Sequence, residues 1–115
     1  MSAPVTHMSD WAQDPGRWHG RITGADLGGP VSILFFSSDR PGAGPVLHWH
    51  PYDEIFICRR GRARFTLGPK VIEAREGDIL RAPARMPHRF EVIGPEGYEG
   101  IDIHCYAEVI QHDLE

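Results

Sequence analysis

Thirteen glycines and ten prolines cut the 115-residue chain too often for a long helix. Both residues disfavour the interior of a regular element. Between them lie short runs rich in Val, Ile and Phe, which suit a pleated, half-buried surface. Candidate strands fall at 18–23, 31–37, 46–50, 54–58, 62–67, 70–74, 78–82, 88–93 and 100–106. Many short strands separated by turn signals predict an all-β sandwich or barrel. Only 9–14 and the tail after Ala107 offer short helical turns. The length argues for one domain over 1–115, with an N-terminal arm at 1–16 and a C-terminal tail at 107–115.

Hydrophobic alternation sorts the strands. In Arg62-Ala63-Arg64-Phe65-Thr66-Leu67 the pattern places Ala63, Phe65 and Leu67 inward and the arginines outward. Ile55-Phe56-Ile57-Cys58 and Ile33-Leu34-Phe35-Phe36 are apolar on both faces. Such runs read as strands covered on both sides. A second subunit is the natural cover in a chain this short, which predicts a homodimer. An N-terminal strand or C-terminal segment folded over that face is the alternative.

A net charge of −4 and a pI near 5.9 give no basic surplus for nucleic acid. No apolar run approaches the roughly 18 residues of a membrane span, and the first sixteen residues hold no apolar signal core. Two cysteines, Cys58 and Cys105, are too few for a disulfide framework. A reduced, cytoplasmic protein is the expectation.

The chemistry concentrates in His48-Trp49-His50-Pro51-Tyr52-Asp53-Glu54 and in Pro87-His88. Residues two apart on a strand share a face, so His48 and His50 point the same way. Glu54 joins them if the strand survives Pro51. Imidazole nitrogen with carboxylate oxygen suits a divalent first-row ion: iron, manganese, nickel, zinc or copper. Four uncompensated polar groups in a barrel interior would otherwise cost roughly 1–3 kcal/mol each.

With its glycines the first motif reads Gly42-x5-His48-x-His50-x3-Glu54-x6-Gly61, and the second Gly77-x5-Pro83 followed by His88. This pair resembles the two signature motifs of the cupin superfamily, and the chain is similar to its small single-domain bacterial members. The motifs cover Gly42 to about Val92. The second departs at Arg85, where the family has glycine, and at Val92, where it often has asparagine. The resemblance implies a double-stranded β-helix, a jelly-roll barrel of the RmlC-like kind. It also implies that His48, His50, Glu54 and His88 converge on one ion. Gly61 would then turn a hairpin between the Glu54 and Arg62 strands, and Gly77 would start the next strand after a turn.

Other residues are weighed beside these. Phe56, Phe65 and Phe90 would wall an apolar pocket, with Tyr52 at its mouth as a donor. Trp49 alternates away from the ion, and Cys58 points inward as an inert thiol. In Ile101-Asp102-Ile103-His104, apolar-inward packing turns Asp102 and His104 out; the opposite register lines the pocket with His104. His7, His19 and His112 read as structural. Arg59, Arg60, Arg62 and Arg64 read as a solvated face. Four protein ligands on an octahedral ion leave about two positions for a small molecule. The function expected is therefore a metalloenzyme of dioxygenase, isomerase or lyase type acting on a diketone, enediol or catechol. A non-catalytic binding module stapled by its metal is the alternative.

Overall fold

The computed structural model describes residues 4–115, so the first three residues of the expected arm lie outside the described residues. Its strands are β1 (Gly20–Ile22), β2 (Ser32–Ser38), β3 (His48–Trp49), β4 (Glu54–Leu67), β5 (Lys70–Arg75), β6 (Ile79–Ala82), β7 (His88–Val92), β8 (Tyr98–His104) and β9 (His112–Asp113). Two single-turn helices, α1 (Met8–Trp11) and α2 (Gly24–Leu27), complete the described elements.

Two antiparallel sheets share β4. Its first half pairs with β6 and β8, and β8 leads on to β2 and β1. Its second half pairs with β5 and β7, and β3 links β7 to β9. The result is the jelly-roll barrel that the motifs implied. Among the described residues, no helix is long and apolar enough to cross a membrane.

The expected hairpin at Gly61 is corrected: β4 runs unbroken through it. The register with β8 shifts between Cys58 and Arg60, and Gly61 follows with φ of 77°. A bulge there bends the strand out of one sheet and into the other. A Cβ at Gly61 would collide with the Gly97 carbonyl oxygen. A bulge and a turn both ask for glycine at positive φ, so the residue alone does not separate them. Gly77 does sit in the turn before β6, and its N–H donates to the Cys58 carbonyl at 2.8 Å.

The tail after Ala107 is extended rather than helical, and β9 within it pairs with β3. An unanticipated turn, α2, begins at Thr23, whose hydroxyl accepts from the Asp26 N–H at 3.4 Å, and ends at left-handed Gly28.

The core lies between the sheets. Phe56, Phe65 and Phe90 pack with Cys58, Ala63, Val92 and Tyr98, and burial of each large side chain contributes about 1.5–3 kcal/mol. Ala63, Phe65 and Leu67 face inward as alternation required. The opposite face of the β2–β8–β4 sheet carries Ile33, Ile55, Ile57, Ile101 and Ile103, all half-buried. Trp11 stacks on Phe35 at 3.7 Å, and Trp18 lies beside both under the Arg59 guanidinium. The N-terminal segment thus covers one corner of the molecule, while Ile79 remains 69% exposed.

Candidate metal centre

The two sheets bring the polar residues together from opposite sides. His48 on β3 lies directly across from His88 on β7. β3 ends at Trp49, so strand alternation does not carry through Pro51 to Glu54. Instead Glu54 opens β4 in the facing sheet, paired with His104 and Ala82, and points inward from there. The backbone near His50 is held from outside: its carbonyl accepts from the Arg85 N–H at 2.8 Å. Arg85 adopts φ of 70°, the conformation for which glycine is the natural residue.

One ligand atom each from His48, His50, Glu54 and His88 lies within 4.8 Å of the others, and all four residues are buried. The rings are aimed by main-chain carbonyls. His48 Nδ1 is 2.6 Å from the Val46 oxygen, His50 Nδ1 is 2.7 Å from Ile110, and His88 Nδ1 is 2.8 Å from Met86. A carbonyl only accepts, so each Nδ1 carries the proton and each Nε2 presents a lone pair inward. His50 Nε2 and His88 Nε2 then face Glu54 Oε1 at 3.0 and 2.9 Å, acceptor against acceptor. His50 Nε2 makes no hydrogen bond despite that approach. A cation between these atoms removes the conflict, so the donor set fits a divalent ion.

Electrostatics agree. Burial holds His48 below the ordinary imidazole range, so it is neutral at pH 7 and ready to ligate. Burial pushes the Glu54 carboxyl up, but the imidazoles of His104, His50 and His88 around it outweigh burial and hold Glu54 well below the carboxylate range.

The outward placing of Asp102 and His104 is corrected: both point into the barrel and are buried. Ile101 and Ile103 take the outer face, so the apolar-inward register fails and the alternative that lined the pocket with His104 holds. The rule inverts because the barrel's hollow is polar here and its outer sheet face is apolar. His104 Nε2 lies 3.1 Å from Glu54 Oε2, and its Nδ1 lies 2.7 Å from the Tyr52 hydroxyl. That hydroxyl accepts from the Ile110 N–H at 3.0 Å. The network assigns a relay: Tyr52 donates to Nδ1, and Nε2–H donates to Glu54. Tyr52 therefore stands behind His104, buried, and not at an open mouth.

Beneath the cluster lies a cavity of about 390 Å³. Leu34, Phe36, Phe56 and Phe90 give it apolar walls, with His48, Glu54, His88, Asp102 and His104 also lining it. Phe65 does not line it; the ring is fully buried, 5.0 Å from Phe56 and 5.2 Å from Phe90. Asp102 and Arg21 were not anticipated, and Arg21 lies on the cavity lining with Gln13, His19 and Gln111. For Asp102 the available signal was its parity with His104 on one strand. Burial, then the charge of Glu54, raise the Asp102 carboxyl well above its ordinary range.

The remaining readings fall as follows. Trp49 turns away and stacks on exposed His112 at 4.2 Å. His7 is exposed at the start of α1. His19 Nδ1 accepts from the Ser37 N–H at 3.0 Å. Cys58 is a buried thiol whose sulfur accepts from the Tyr98 hydroxyl. Arg59 and Arg60 pair with Glu99, Arg62 with Glu73 and Glu96, and Arg64 with Glu91, as an ion-paired face.

A jelly roll with three imidazoles and a carboxylate meeting inside it defines a class before any comparison. The cupin-domain family model matches residues 35–104, a span that contains the whole cluster. The chain belongs to the cupin family. An uncharacterised protein of Methanocaldococcus jannaschii is 35% identical over 54 residues, 46% of this chain and 43% of that protein. Among solved structures, oxalate decarboxylase from Bacillus subtilis superposes with a TM-score of 0.75 at 23% identity over 83% of this chain. A second structure of it, from work on its Mn(II) centres, gives 0.74 at 24% identity over 89%. The chain spans under half the length of the archaeal protein and 27–30% of the decarboxylase chains.

Proposed function

We propose that this protein is a metal-dependent cupin acting on a small oxygen-rich organic molecule, with His48, His50, Glu54 and His88 holding one divalent ion per chain. The supporting observation is the set of three rings whose N–H groups are spent on main-chain carbonyls, leaving the inner nitrogens of His50 and His88 opposed to Glu54. Iron, manganese, nickel, zinc and copper all suit this donor set. Such an ion supplies Lewis acidity toward an enol, carbonyl or catechol oxygen. The chain's own residues do the rest: Tyr52 and His104 orient Glu54, and Phe56, Phe90 and Leu34 exclude water from the ligand's body. Those apolar walls suit a compact ring better than a bare dianion, so oxalate is expected to be a poor substrate. The activity class is dioxygenase, isomerase or lyase.

The test uses protein purified without a nickel column. Elemental analysis is expected to find about one divalent ion per chain, and His50→Ala to lose it while keeping its β-sheet circular dichroism. Full occupancy in that variant would falsify the ligand assignment. Oxygen uptake and absorbance with catechols and 1,3-diketones then separate turnover from a mere metal staple.

The half-buried isoleucine face supports a homodimer, with a second copy as its cover, and sedimentation velocity is expected to show twice the chain mass. We read the chain as one domain working in the cytoplasm, where Cys58 and Cys105 stay as thiols.

A further inference from the structure

Apart from the candidate ligand His50, Asp102 is the residue in the barrel's hollow, among the described residues, with a buried polar atom that the fold does not satisfy. It sits on β8 with Leu34 of β2 on one side and Phe56 of β4 on the other. Both neighbours are apolar. The side chain is 5% exposed, lines the cavity, and its Oδ1 makes no hydrogen bond. By contrast Ser32, also on the inner face of β2, donates to the Tyr106 carbonyl and accepts from the Gly24 N–H. Buried polar atoms without partners are rare and costly, and each calls for a partner the chain does not supply, whether a water, an ion or a ligand.

We propose that Asp102 determines the cavity's specificity by hydrogen-bonding a neutral hydroxyl on the far end of a ring-sized ligand. The ligand's other end carries oxygen donors that face His48, His50, Glu54 and His88, so the inference rests on the metal reading of that cluster. The spacing sets the size. Asp102 lies one inward position below His104, which pairs directly with Glu54, and two residues of strand span roughly 7 Å. That is the breadth of one six-membered ring bearing a polar group at each end. The walls provided by Phe56, Phe90 and Leu34 match the ring's faces. The Asp102 carboxyl accepts from a ligand O–H in either charge state, and burial, then the charge of Glu54, shifts it toward the protonated form that also donates. A second anion beside Glu54 would be expensive, which disfavours a cationic ligand group that would have to draw one out.

The probes are benzohydroxamate, which chelates through its two oxygens, and its 3-hydroxy and 4-hydroxy derivatives. They are titrated calorimetrically into the zinc-loaded protein. One hydroxylated probe is expected to bind at least about tenfold tighter than the parent, because a site built for a hydroxyl penalises its absence. Asp102→Leu should abolish that preference while binding the parent as well as before. Asp102→Asn, which keeps hydrogen bonding at the same size, should retain most of it. Zinc content is measured on every variant, and the metal-free Asp102→Leu protein should melt no lower than wild type, since no internal partner is lost. A purely structural Asp102 would instead lower that melting temperature. Equal affinity for all three probes at full zinc occupancy, or a preference that survives in Asp102→Leu, overturns the assignment of Asp102 alone. Failure of the wild-type protein to hold zinc overturns the cluster reading, and this inference falls with it.

Discussion

At the level of Glu54 the barrel's buried polar atoms are crowded: three ring nitrogens lie within 3.1 Å of its two oxygens. One step along β8, Asp102 is just as buried and its Oδ1 has no partner. The same two strands, β4 and β8, supply both levels. The upper level is organised around the Glu54 carboxylate, which His104 and Tyr52 orient toward the other imidazoles. The lower is organised around aromatic area, with a single polar exception. The contrast separates two jobs. On the proposed reading, stability comes from the Phe56–Phe65–Phe90 level and metal binding from the His–Glu level, so substitutions should divide along that line.

The largest effect expected is at Phe65. Phe65→Ala removes a ring packed against Phe56 and Phe90 and should cost about 3–5 kcal/mol in denaturant unfolding. A cost below about 1 kcal/mol would break the division between the levels.

His104→Ala leaves the four candidate ligands in place but removes the donor that orients Glu54. Loss of such outer support typically weakens metal binding about 10–100-fold. Competition with a chelating dye reads this directly, and unchanged affinity would remove His104 and Tyr52 from the site.

Smaller per pH unit is the dependence of the metal-free protein on pH, where the two acids act oppositely. Glu54 is held below its ordinary 4.5, so the stability it contributes is lost as pH falls beneath that value. Asp102 is held above its ordinary 3.8, so its native state keeps a proton that the unfolded chain gives up, and stability falls as pH rises past that value. The limit is one proton, about 1.4 kcal/mol per pH unit. The stability difference between Asp102→Leu and wild type should therefore grow from pH 4 towards neutrality; a flat difference would contradict a protonated Asp102.

The smallest effect lies outside both levels. Arg85 is the non-glycine residue at positive φ among those described. Arg85→Gly should stabilise by about 1 kcal/mol, provided the gain exceeds glycine's added freedom in the unfolded chain. Thermal unfolding with unchanged metal affinity checks it.

Much of this was legible beforehand because it depends on local chemistry. The shared direction of His48 and His50, the alternation through Ala63, Phe65 and Leu67, and the inward turn of Cys58 follow from strand periodicity and residue type, whereas Glu54 reaches the cluster from the facing sheet. Arg85 at a glycine position was visible as an anomaly, and the structure supplies its backbone meaning. Three things were not legible. Gly61 lies in a bulge that carries β4 from one sheet to the other, and a bulge looks like a turn until the partner strands are known. The tail pairs as β9 because β3 offers it an edge, a fact of packing rather than of propensity. Asp102 and His104 face inward because the outer sheet face is the apolar one. Periodicity tells which residues share a face but not which face meets the hollow. The amino-acid sequence thus determined the donor types of the candidate cluster and much of the strand pattern, since both reside in residue type and spacing. Only tertiary structure decided which side of β8 looks into the site, because that choice depends on what lies across the barrel.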